Sequence, residues 1–163
     1  MNHNDRKIVI RKNPNGDTRT APDNVTFEEF QKANDMHRKD VREVLCELGW
    51  RINGAGLNHD ITKKTREREF YEDFLKTKNE GANFVLSDWY KMHVFAERHH
   101  LTANCPADVT LIDILEMIAD CVCAGMARSG EVYGLDLDPD ILDLAMKNTV
   151  QMVKDMIEVE DDK

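Results

Sequence analysis

From residue 26 onward the apolar positions recur every three or four residues. Phe27, Phe30, Ala33, His37, Val41, Val44, Leu45 and Leu48 share one seam ahead of Gly49, which is the periodicity of a helix face. Thr26 and Glu29 make the Thr-x-x-Glu pattern of a capping box at its start. After a predicted loop at Asn53-Gly54-Ala55-Gly56, a second helix starts near His59 and carries Phe70, Tyr71, Phe74 and Leu75, with a charged outer face from Lys63 to Glu72. Asn79 to Asn83 breaks it. Ser87 caps a third helix through Trp89, His93, Ala96 and His100, and Thr102 to Ala107 follows as a loop. A fourth helix, from about Asp108 to Arg128, is apolar on most sides and is predicted to be central. Asp138-Pro139 supplies an N-cap and a proline at the first helical position. The last helix bears Leu142, Ala145, Met146, Val150, Val153 and Ile157 and frays into Glu158 to Lys163.

The predicted architecture is an all-α bundle of about five main helices over residues 26–163, a single domain. Residues 1–25 form a polar N-terminal arm. Its one β-like run is Lys7-Ile8-Val9-Ile10-Arg11, and Asn13-Pro14-Asn15-Gly16-Asp17 is a strong turn signal.

Composition narrows the class. At 163 residues, 41% apolar and 33% charged, the chain can bury a core and is not of the disordered type. A net charge of −9 argues against non-specific nucleic-acid binding and against an anionic membrane surface. The most apolar segment, Leu111 to Ala127, carries Asp113, Glu116 and Asp120, so it does not read as a membrane span. The first residues, Met1 to Arg6, lack the apolar stretch of a signal peptide. The four cysteines contain no CxxC pair and are expected to be reduced, mostly buried thiols in a cytoplasmic protein.

The chemistry-bearing residues then stand out. Five of the six histidines lie between positions 37 and 100. His37 sits in the first apolar seam. His59 and Asp60 are adjacent and would diverge by about 100° on a regular helix, but both can converge on one ion at a helix start. His93, Glu97 and His100 follow at i, i+4 and i+7 and share a face of the third helix, which makes His93 and His100 the preferred ligands. His99 points elsewhere on a regular helix, toward substrate or toward the ligands' own partners. Asp113, Glu116 and Asp120 form an acidic stripe on the fourth helix. Thr110-x-x-Asp113 is itself a capping box, and Glu116 has Arg98 and Arg128 as possible partners. Asp120, deep in the apolar segment, is the acid least explained by solvent. Imidazoles and carboxylates recurring on several helices are what a transition-metal site needs.

The ordered set resembles the HD-domain superfamily of metal-dependent phosphohydrolases over roughly residues 27 to 128. His59-Asp60-Ile61-Thr62-Lys63 is similar to that family's HDIGK sequence, with Thr62 in place of glycine. His37 precedes it by a typical distance, and Ile118 to Ala124 resembles the family's terminal Asp helix. Ala96 to Leu101 and Asp113 to Gly130 also resemble a subgroup of HD-like proteins from phage and bacteria that brings no known substrate. The resemblance implies a first metal site of His37, His59, Asp60 and Asp120, a phosphate near Lys63, and a second ion at His93 and either His100 or His99. Binuclear members usually draw the latter two histidines from more separated positions, and this chain departs from that.

The function expected on this basis is phosphomonoester or phosphodiester hydrolysis of a nucleotide or related small phosphorylated substrate. Water activated by one or two divalent ions (Fe, Mn, Co, Ni or Zn) is the nucleophile. Glu97 is a candidate general base or ligand partner, and Arg98 or Arg128 a candidate phosphate clamp. A homo-oligomer is compatible with the sequence. Two other classes share the residues: a non-catalytic metal-binding or interaction protein, and an HD-fold di-iron oxygenase. A ferritin-like bundle would need a second Glu-x-x-His motif beyond Glu97-x-x-His100, which the chain lacks.

Overall fold

A computed structural model describes residues 7–161. The first residues of the expected arm and the last two of the chain lie outside it. The chain is mainly helical, as the hydrophobic periodicity predicts. The described residues form five helices of nine or more residues, one five-residue helix and one short strand pair. No helix of the described residues is long and apolar enough to cross a membrane. The chain forms two compact units. One joins its two ends, Met1–Arg51 and Val150–Lys163, and the other is Ile52–Thr149.

In the first unit, strand β1 (Ile8–Arg11) pairs in parallel with strand β2 (Ile157–Glu160), Ile8 opposite Ile157. The sequence predicts a fraying helix end at Glu158. Instead the last helix, α6 (Pro139–Met156), stops at Met156 and the alternating Ile157-Glu158-Val159-Glu160 takes up the unused ladder of β1, an extended pairing a helix-period reading does not anticipate. Helix α1 (Phe27–Asn58) starts at the expected capping box: the Thr26 amide donates to Glu29 at 2.9 Å and the Glu29 amide to the Thr26 hydroxyl at 3.3 Å.

The predicted stop near Gly49 and the loop at 53–56 do not exist. α1 runs unbroken to Asn58. Glycine weakens a helix by about 1 kcal/mol without breaking it. The intact i→i−4 ladder carries the chain through Gly49, Gly54 and Gly56, and the Asn58 side chain donates back to the Gly54 carbonyl at 2.8 Å. The true break is at Asp60, the one non-glycine residue with positive φ (54°) among those described. Left-handed backbone is unfavourable for most side chains and tolerated best by Asn and Asp.

In the second unit α2 (Ile61–Thr65) and α3 (Glu67–Glu80) replace the single predicted second helix. α4 (Asp88–Ala96) begins at Ser87, whose hydroxyl accepts from the Tyr90 amide at 3.1 Å. α5 (Leu111–Ser129) begins at Thr110, whose amide donates to Asp113 at 2.7 Å. α6 (Pro139–Met156) begins at Asp138, whose carboxylate accepts from the Asp140 amide at 2.9 Å. Leu101, Val109, Ile114, Met117 and Ala145 form the buried core here, so α5 is central to this unit as its apolar pattern predicts. Gly125 is buried on α5 because the backbone of 131–133 crosses it. A Cβ there would stand 2.3 Å from the Glu131 carbonyl oxygen.

Candidate metal centre

The site lies wholly within Ile52–Thr149. It is assembled where the backbone is irregular. Asp60, in left-handed conformation, makes no cap hydrogen bond to α2 with its side chain. The reversal turns its carboxylate toward the His59 ring, whose Nε2 lies 3.4 Å from Asp60 Oδ2. Two adjacent residues thereby face one point, which a regular helix forbids.

The second irregularity ends α4. The helix stops at Ala96, and Glu97 is extended, with its amide still bonded to the His93 carbonyl at 2.9 Å. The Glu97 carboxylate is occupied elsewhere: Oε1 accepts from the Thr62 amide at 2.8 Å and from the Thr62 hydroxyl at 2.5 Å. His99 and His100 therefore leave the helix, and the predicted i, i+7 relation of His93 to His100 does not apply. Both still reach the cluster. His100 Nε2 stands 2.8 Å from His93 Nε2. His99, predicted to point away, is 1% exposed and its Nε2 is 3.7 Å from Asp60 Oδ1.

Asp60 is the hub. His93 Nε2 approaches its Oδ1 at 3.4 Å, and Lys63 makes an ion pair with its Oδ2. Asp120 on α5 reaches the same region, with Oδ1 3.6 Å from His59 Nε2. Two three-residue groups bring ligand atoms close enough to share an ion: His59, Asp60 and His99, and Asp60, His93 and His100.

Hydrogen bonding sets the ring tautomers. Glu97 can only accept, so the Thr62 hydroxyl donates to it and is left to accept from His93 Nδ1 at 2.7 Å. A neutral His93 then carries a lone pair on Nε2, the nitrogen that faces Asp60 and His100. On the opposite wall Glu116 Oε1 accepts from His59 Nδ1 at 3.0 Å and orients that ring. The same oxygen is 2.9 Å from His99 Nδ1, off the hydrogen-bond direction. Trp89 stacks on the back of His93, with ring centroids 4.7 Å apart, and Phe70 of α3 stacks on Trp89 at 4.2 Å.

Electrostatics agree with this assignment. Burial, then the neighbouring His99 and His93, push His100 down to about 4, against the pull of Asp60 and Asp120. Burial lowers His93 as well. Burial is the largest influence on Asp60 and would raise it, but the hydrogen bond and charge of Lys63, with His59 and His93, hold it below its ordinary value. At neutral pH His93 and His100 are therefore neutral, and the lone pair of His93 Nε2 faces the ionised carboxylate of Asp60. Acceptors facing acceptors repel unless a cation lies between them. Asp60 Oδ1 and both ring nitrogens of His99 are buried with no hydrogen-bond partner, and such groups are rare in proteins without a ligand or ion. The donor set of imidazole nitrogens and carboxylate oxygens can hold a metal ion, and it fits a transition metal.

Other sequence candidates fall elsewhere. His37 is exposed on α1 and belongs to neither group, contrary to the buried seam position its spacing predicts. Arg98 is committed to Asp113, through two bonds of 2.7 and 3.1 Å, and to Asp108 at 3.0 Å. Its pairing with Glu116 does not occur. Arg128 is exposed in the last turn of α5. Cys46 and Cys123 are exposed rather than buried, while Cys105 and Cys121 are partly buried against the core. Two contributors were not assigned from sequence, Thr62 and the double role of Glu116. The only sequence signal for Thr62 is that it replaces a glycine in the motif. No family model matches the chain, and no curated protein or solved structure matches it.

Proposed function

We propose that the chain is a metal-dependent phosphohydrolase. One or two divalent transition ions (Fe, Mn, Co, Ni or Zn) are held by Asp60 with His59 and His99 on one side and His93 and His100 on the other, and Asp120 lies beside His59. The observation that carries this reading is the convergence of four imidazoles on one carboxylate that also binds a lysine, with Asp60 Oδ1 and both His99 nitrogens buried and without a hydrogen-bond partner. Both groups share Asp60, so its carboxylate would be a ligand in either.

Bound there, a divalent ion supplies a water of pKa near 7 and a charge that stabilises phosphoryl oxygens. The protein's own part follows from the contacts. Glu116 and the Thr62–Glu97 pair orient the rings, as the outer partners of metal-binding histidines do. Glu97 is thus a positioning residue rather than a base in contact with substrate. Lys63 has further N–H donors beyond the one given to Asp60 and can offer them to a phosphoryl oxygen. The substrate class is a phosphate ester, of which the nucleotide expected from the resemblance is one member. We take the compartment to be the cytoplasm, which the free cysteines support.

The test pairs elemental analysis of untagged protein with phosphate release from a panel of mono- and diesters in Mn, Fe, Co and Ni. Bound metal with metal-dependent phosphate release is expected. Iron-dependent oxygen uptake without phosphate release would instead make the site an oxygenase, and a metal-free protein inactive on all esters would end both readings.

A further inference from the structure

An apolar cavity of about 300 Å³ adjoins the candidate centre, lined entirely by residues of Ile52–Thr149. Ile52, Ala55, Ile112, Leu115, Ala119 and Cys123 form most of its wall. The rest of its polar lining is the site itself: His59, Glu116 and Asp120. Ile52 and Ala55 lie on the last turns of α1 and the others on α5, so the backbone groups behind this wall are used within helices.

The chemistry of that wall selects an occupant. A nucleoside offers base edges that require donors and acceptors, and a face that stacks on aromatic or guanidinium groups. The lining contains no lysine, arginine, amide or hydroxyl side chain, and its one aromatic ring is His59. A ribose would leave its hydroxyls unpaired against Ile, Leu and Ala, which is unfavourable. The two carboxylates of the lining, Glu116 and Asp120, also offer a phosphate chain inside the cavity no counter-charge. An alkyl chain has none of these requirements and gains from burial.

We propose that the organic half of the substrate is a single short alkyl or prenyl chain, seated in this cavity with its phosphate at the histidine–aspartate cluster. At roughly 30 Å³ per water-sized unit, the volume holds about ten carbons. The inference rests on the phosphohydrolase reading and specifies its substrate. In the reaction, water oxygen bonds to phosphorus as the P–O bond to the chain breaks. The leaving alkoxide takes a proton from that water, giving one alcohol and one inorganic phosphate.

The test uses full-length, Mn-loaded protein with decyl phosphate and geranyl phosphate against AMP, with methyl phosphate as a tailless control. kcat/KM for the ten-carbon esters is expected to exceed that for AMP by ~100-fold or more, the scale on which hydrophobic pockets discriminate. Ala119→Phe, which fills the cavity from an exposed helix position, should lower kcat/KM for decyl phosphate at least ~10-fold and leave methyl phosphate unchanged. Leu115→Asn is the second variant should the first misfold, and helical circular dichroism checks both. Calorimetry with the non-hydrolysable decylphosphonate gives a readout independent of turnover: binding to the native protein, weakened in both variants. Equal or faster turnover of AMP, or equal losses on decyl and methyl phosphate, would overturn the alkyl assignment while leaving the hydrolase reading intact. Absence of decylphosphonate binding, with dissociation of a dimer in Leu115→Asn, would assign the cavity to a second copy of the chain. Failure to release phosphate from every ester, methyl phosphate included, would instead remove the hydrolase reading itself.

Discussion

The Thr62 hydroxyl lies 2.7 Å from His93 Nδ1 while donating to Glu97 at 2.5 Å. One side chain thereby decides which nitrogen of His93 faces Asp60. The relay joins the first turn of α2 to the end of α4 through one hydroxyl.

Thr62→Val keeps shape and removes the hydroxyl. His93 then loses the acceptor for its Nδ1 proton, and Glu97 retains only the Thr62 amide. Metal affinity is expected to fall ~10- to 100-fold, the usual effect of removing an outer hydrogen-bond partner, with little change in helical content. Thr62→Ser should restore most of it. Competitive titration with a chromophoric chelator measures both, and unaltered affinity in Thr62→Val would show that the relay does not set the ring.

Glu116 Oε1 accepts from His59 Nδ1 at 3.0 Å and lies 2.9 Å from His99 Nδ1 without a hydrogen bond to it. Glu116→Ala should therefore weaken metal binding more than Thr62→Val does, since His59 loses the partner that orients it and His99 loses its adjoining carboxylate. Glu116→Gln keeps an acceptor oxygen and should be milder. Isothermal titration with Mn across the three variants gives the ranking.

Acid should destabilise the metal-free protein. His100 has an unfolded-state pKa near 6.5 and is pushed down to about 4 when folded. Between those values the unfolded chain holds more protons than the folded one, so stability falls as pH falls through that window and is recovered above it. Lowered His93 acts in the same direction. Thermal melts in chelator should show Tm dropping by ~5 °C or more from pH 7 to pH 5. His100→Gln should flatten that slope, and an equally steep slope in that variant would place the titrating group elsewhere.

Much of the fold was legible before any coordinates. The caps at Thr26, Ser87, Thr110 and Asp138 are local, and short-range patterns specify them. His59, Asp60, His93 and His100 are legible as candidate ligands because imidazoles and carboxylates recur there on several predicted helices. What failed depended on the departure from regular backbone. Glycines at 49, 54 and 56 suggested an end to α1, yet the break came from Asp60 at positive φ, which spacing does not encode. Helical phasing favours His100 over His99 beside His93, but the helix ends at Ala96, where Glu97 turns to Thr62, and both histidines reach the cluster. His37 looked like a ligand from an apolar seam that the structure leaves partly exposed.

Gly125 tests the packing that holds α5. Its missing side chain lets the Glu131 carbonyl and the Tyr133 amide approach to positions 2.3 and 2.7 Å from where a Cβ would sit. Gly125→Ala forces that backbone outward and should destabilise the protein by about 1–3 kcal/mol, the range for overpacking a filled site. Urea denaturation measures it. Gly54→Ala, with open space around its Cβ, should be neutral or stabilising by up to about 1 kcal/mol.

The candidate metal centre depends on Asp60 more than on any other residue, since both groups of potential ligands include it. The most direct measurement is metal content by elemental analysis of untagged wild type and Asp60→Ala, purified side by side and checked for equal helical circular dichroism. Wild type is expected to carry a divalent transition metal in near-stoichiometric amount and Asp60→Ala to carry little or none. Full metal content in a folded Asp60→Ala variant, or none in the wild type after exposure to Mn, Fe, Co, Ni and Zn, would contradict the assignment.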